Sequence, residues 1–137
     1  MPPSRTTRAI AVVCLAGVAV THIIDLPDKL QEAHYMAALF ILLIAASVVL
    51  AAAIAAGRRV DVALIGAGVL SAMTIVGYVL SRSVGLPEIE DHVGMWLDPD
   101  GIASLAFEAT LVVLAAQVAP LPTAGVQART GARAAAR

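Results

Sequence analysis

Four long apolar runs, Ala9–Ile24, Tyr35–Ala56, Val62–Leu80 and Ile102–Ala119, alternate with short stretches that collect nearly all the charge. Each run approaches the ~17–25 residues that cross a bilayer as a helix, the first and last being the shortest. The pattern predicts an all-α polytopic membrane protein, an antiparallel four-transmembrane-helix bundle. Its single domain covers residues 1–119, with spans near 9–24, 34–56, 61–81 and 101–119. Residues 120–137, rich in Ala, Arg, Gly and Thr and without periodicity, predict a disordered cytoplasmic tail. Four spans of ~20 residues leave only short loops and two tails. That excludes a soluble enzyme, a nucleic-acid binder and a large extramembrane domain; the bilayer itself is the first partner.

Breakers between the runs set the connections. Gly57–Asp61 is short enough to be a tight turn, which makes the second and third helices antiparallel neighbours. Pro27 suits the first turn of a helix, where its missing N–H costs nothing, with Asp25 as its cap. On that pattern the second helix starts near Pro27. The stretch Arg82–Asp100 carries Gly85, Pro87, Gly94, Pro99 and the sole tryptophan, Trp96, and is expected to fold over the mouth of the bundle. Pro99 and Gly101 then open the fourth helix. Arg5 and Arg8 ahead of the first run, with Gly17 and Ala19 further on, also suit a cleaved signal peptide. Because more spans follow, and the arginines serve equally as a topology signal, a retained helix is the expectation.

Composition agrees, at 60% hydrophobic and 14% charged residues. The net charge of −1 becomes informative only when divided by side. With the N-terminus cytoplasmic, seven of nine Lys and Arg residues lie inside, at a net +6, while the two outer loops carry −2 and −4. Lys and Arg near span ends favour the cytoplasm, so both termini are expected there, in a multi-pass plasma-membrane protein. Cys14 is the only cysteine, which rules out an intrachain disulfide or a CxxC metal knuckle.

Candidate chemistry sits where polar groups meet the membrane. Glu108 falls about nine residues into the last helix, ~13 Å below the outer surface. A carboxylate at that depth must be protonated, paired or facing a wet cavity. Ser104 lies one turn above it, and Thr74 and Tyr78 of the third helix reach the same depth. The expected state is a protonated Glu108 hydrogen-bonded to Tyr78 or Thr74, as glue between helices. A proton or cation stop is the sharper alternative. Small residues at helical spacing, such as Ala63, Ala67 and Ser71, suit close backbone packing in lipid.

His22, His34 and His92 all fall toward the outer side, as do most of the acids. Imidazole and carboxylate ligands suit Zn, Cu or Fe, so His22, Asp25, Glu32 and Asp91 form a candidate metal set. Acids also fill outer loops simply because Lys and Arg avoid them. No histidine lies mid-span, which argues against haem. Arg82 is expected to organise the long loop by pairing with Asp91 or Glu88. Trp96 is either an interfacial anchor or the plug of that loop.

The string Gly77-Tyr78-Val79-Leu80-Ser81-Arg82-Ser83-Val84-Gly85-Leu86-Pro87, followed by Trp96 and by Gly101-Ile102-Ala103-Ser104-Leu105-Ala106-Phe107-Glu108, resembles a group of small four-span membrane proteins. They are common in actinobacteria and functionally uncharacterised. The likeness covers most of residues 20–110 and extends to His22, Glu32 and Tyr35. Glu88 stands where that pattern has glycine, and His34 and His92 are not part of it. The resemblance implies a fold and a set of residues to examine, His22, Glu32, Arg82, Asp91 and Glu108, and no activity. No nucleophile–base pair stands out, so the leading expectation is a non-enzymatic cation-binding protein. The alternatives are an accessory or assembly subunit of a larger membrane complex, and a small transporter working as a homo-oligomer.

Overall fold

The computed structural model describes residues 3–119, and the expected tail at 120–137 lies outside them. The described residues form four α-helices in an antiparallel bundle: α1 (Arg5–Glu32), α2 (His34–Ala55), α3 (Val60–Ser83) and α4 (Pro99–Val118). All four are long and apolar enough to cross a membrane. The described chain ends lie together at what is called here the near end; the α1–α2 junction and the α3–α4 connection form the far end. Large apolar side chains such as Leu42, Val49, Met73 and Val113 point outward from three different helices. Such a surface suits acyl chains and would aggregate in water.

Local chemistry explains most boundaries. Ser4 caps α1, its Oγ accepting from the Thr7 N–H at 3.0 Å. Asp98 caps α4 in the same way, accepting from Gly101 N–H at 3.3 Å, and Pro99 opens that helix as its pattern predicts. The α2–α3 turn needs left-handed backbone at Gly57 (φ 70°) and Arg59 (φ 43°). At the end of α2, Arg8 reaches across from α1. Its Nε and Nη2 donate to the Ile54 carbonyl at 3.2 and 2.9 Å, and Nη2 also donates to Ala55 at 3.2 Å. A cation on orphan C-terminal carbonyls satisfies both their lone pairs and the helix dipole.

One expected boundary is wrong. Pro27 does not start α2, and Asp25 caps nothing; α1 continues through both to Glu32. Proline inside a helix forfeits a hydrogen bond, yet the next turn is held by the Lys29–Glu32 ion pair and by burial of Lys29 beneath the α3–α4 connection. The reversal falls instead at Ala33, a single extended residue. Its N–H donates to Lys29 and its carbonyl accepts from Ala37, both at 3.0 Å. Ala33 is fully buried at this corner.

The helices do not pack evenly. α1 lies against α2 and α4, and α3 against α4, whereas α2 and α3 touch sparingly although a tight turn joins them. In the near half, Ala11, Leu15, Ile54, Leu64, Ala67 and Leu111 form a dry core. There Gly68 brings α3 so close to α4 that a Cβ on it would overlap the Ala115 methyl. Small residues at this crossing supply the close backbone contact that lipid cannot drive hydrophobically.

Candidate functional site

Toward the far end the bundle opens into a cavity of about 880 Å³ reached from all four helices. Along α3 its lining runs from Leu70 to Arg82, about 18 Å at the helical rise. The inner part is apolar, with Phe40, Leu43, Leu70 and Met73. Its flank lies at the α2–α3 seam, where the lining residues Leu39, Leu42 and Met73 are also exposed on the outside of the bundle. Most polar groups gather at the mouth, and Glu108 stands apart from them among the apolar residues.

Glu108 is the innermost lining residue on α4 and is only 1% exposed. Ser104 Oγ donates to its Oε1 at 2.9 Å, an i,i+4 contact within α4. The expected partners on α3 are engaged elsewhere. Thr74 Oγ1 donates to the Leu70 carbonyl at 3.0 Å, and Tyr78 OH to the Trp96 carbonyl at 3.1 Å. Both side chains still line the cavity with Glu108. The glue between α3 and α4 is thus supplied by backbone approach at Gly68 and not by the carboxyl group. Glu108 faces a cavity, with Ser104 as its hydrogen-bond partner among the described residues.

The far-end rim holds the charged groups. Arg82 is buried, with Nη2 3.4 Å from Asp98 Oδ2 and its guanidinium 4.9 Å from the centre of the Tyr78 ring. Its partner is therefore Asp98, not Asp91 or Glu88, because the helix cap at Asp98 sits beside the end of α3 whereas Asp91 is exposed. Arg82 Nε is buried and has no hydrogen-bond partner among the described residues. Arg82 also organises the connection through its backbone, since its carbonyl accepts from Gly94 N–H at 2.9 Å. Lys29, buried at 7% exposure, pairs with Glu32 and lies 3.3 Å from His92 Nε2. Burial first, and then the Lys29 and Arg82 cations, hold His92 below the ordinary imidazole value.

The α3–α4 connection folds over this mouth. A single 3-10 turn at Glu90–His92 carries His92 inward, with Leu86, Ile89 and Met95 beside it in the lining. Tyr35 OH donates to the Pro87 carbonyl at 2.6 Å, which ties α2 to the same segment. Trp96 is exposed and edge-on to Tyr78 at 6.3 Å, so it borders the mouth without plugging it. Glu88 has φ 67°, the left-handed backbone that glycine adopts freely.

The four candidate metal ligands do not converge. His22 Nδ1–H donates to the Val18 carbonyl at 2.9 Å, and its ring meets Phe40 edge-on at 4.7 Å. Asp25 lines the cavity, Glu32 is engaged by Lys29, and Asp91 stands on the exposed loop. Among the described residues no three His, Cys, Asp or Glu side chains group as a metal site requires. Sequence reasoning missed Lys29, Phe40 and Arg8 as contributors. Only Lys29 left a signal, as a lone cation in an acidic junction three residues before Glu32. Comparison with protein-family models, curated proteins and solved structures finds no match to this chain.

Proposed function

We propose that this is a small multi-pass protein of the plasma membrane, both termini cytoplasmic, that binds a small amphipathic molecule inside its bundle without transforming it. The observation that carries the reading is the cavity, at about 880 Å³ within the range of small-molecule sites. Its apolar interior, with polar groups at the mouth and at Glu108, suits a ligand with a hydrocarbon body and a polar head. The sparse α2–α3 seam supports entry sideways from the lipid. With the termini inside, the mouth lies on the outer face, where the acidic loops belong by the distribution of Lys and Arg.

Calorimetric titration of the protein in lipid nanodiscs tests this with three decyl amphiphiles: decanol, decanoate and decyltrimethylammonium. At least one should bind saturably at one per chain, and Ala46→Trp, which fills the cavity floor, should abolish it. Identical partitioning of all three into protein-bearing and empty nanodiscs ends the reading.

A further inference from the structure

The charges around the cavity are unequal, and their arrangement selects a ligand. Six carboxylates line it against two permanent cations, Lys29 and Arg82. Both cations already have carboxylate partners, Glu32 and Asp98. Among the described residues Asp25, Asp28, Asp100 and Glu108 have no cation in ion-pair contact. Glu108 is set apart even from these. It is 1% exposed, lines the cavity at the apolar end of the space, and has Ser104 as its sole hydrogen-bond partner among the described residues.

Resting on the amphiphile reading above, we infer that the ligand is a lipophilic organic cation, an amine or quaternary ammonium with a hydrocarbon or aromatic body, and that Glu108 is its counter-charge. A carboxylate in a low-dielectric pocket attracts a monocation far more strongly than one in water. A bare metal ion does not fit, because the surrounding space is many times its size and, among the described residues, no group of three His, Cys, Asp or Glu side chains includes Glu108. An organic cation meets both conditions: its charge sits at Glu108 and its body covers Leu43, Leu70 and Met73. Phe40 adds an aromatic ring to that wall, and Tyr78 stands nearer the mouth. Such rings favour cations of low hydration. The acidic rim concentrates the same sign of ligand at the entrance. The unpartnered Nε of Arg82 offers a donor to an anionic head, which makes decanoate the informative competitor.

The nanodisc titration decides among these by ranking. Decyltrimethylammonium should bind wild-type protein about tenfold or more tightly than decanol or decanoate. Glu108→Gln, which keeps the size of the side chain and its bond to Ser104, should erase that preference and leave decanol binding unchanged. A preference for decanoate in the wild type overturns the inference while the amphiphile reading survives. An undiminished cation preference in Glu108→Gln overturns the role of Glu108, and with it the inference. Saturable binding of none of the three overturns the amphiphile reading itself. The wild-type ranking stands whether or not the variant folds.

Discussion

The two halves of the bundle are built from the same four helices and follow different rules. In the near half, α3 meets α4 at Gly68 and Ala115, Leu64 and Leu111 are fully buried, and Arg8 closes the exposed carbonyls of α2. In the far half, α2 and α3 stand apart around a cavity whose buried polar groups include Glu108, Arg82, Lys29 and His22. Apolar helices gain nothing hydrophobically by meeting in lipid, so stability must come from close packing and satisfied polar groups. The near half takes that gain in full. The far half gives part of it up, and a space lined by functional groups is what remains.

Steric substitutions break this contrast most sharply. Gly68→Leu places a side chain where α4 already sits and should lose about 3 kcal/mol, whereas Ala46→Leu, facing the cavity, should change stability by less than about 0.5 kcal/mol. Thermal unfolding of both in the same detergent reads the difference; equal losses would mean that the far half is as tightly packed as the near half. Next in size is Arg8→Ala. Losing a charged fork on two helix-end carbonyls should cost about 1–2 kcal/mol, measured in the same assay. Retention of full stability would show that water replaces the fork.

A smaller effect of opposite sign is expected in the far-end connection. Glu88 holds a left-handed backbone, so Glu88→Gly should raise stability by about 0.5–1 kcal/mol, after allowance for the greater freedom of glycine in the unfolded chain. A loss would mean that the Glu88 side chain makes a contribution larger than the strain. The smallest effect is on pH dependence. His92 binds its proton less readily in the fold than in the unfolded chain. Its contribution to stability is therefore fully present above the ordinary value of 6.5 and is lost as pH falls through that value toward the lower folded one. Between about pH 7.5 and about pH 5.5, wild-type protein should lose stability more steeply than His92→Gln. Parallel curves would place His92 in a solvated environment.

Much of the architecture could be read directly, because hydropathy over ~20 residues reports the one requirement a membrane places on every span. The start of α4 was equally legible, since Pro99 in a first turn is local chemistry. Pro27 misled for the complementary reason. Local rules favour it at a helix start, but the cost of an interior proline is offset by packing around Lys29 that no local window contains. The partners of Glu108 and Arg82 were misassigned in the same way. Depth and helical face narrowed the choice to a few side chains, but Ser104 against Thr74, and Asp98 against Asp91, differ by rotamers and loop path. Phe40 carried no signal at all, being one apolar residue among many in α2.

Taken alone, the sequence determined the number of helices, their antiparallel order and which residues are polar at which depth. Each of these follows from properties summed along the chain: hydrophobic length, charge placement and the backbone preferences of Pro, Gly and Asp. Only the tertiary structure decided that α2 and α3 separate, that the space between them is covered by the α3–α4 connection, and that Glu108 faces that space bonded to Ser104. A cavity is the volume left over when side chains from four helices fail to meet. It depends on differences between packing distances, and no single segment of the chain carries them.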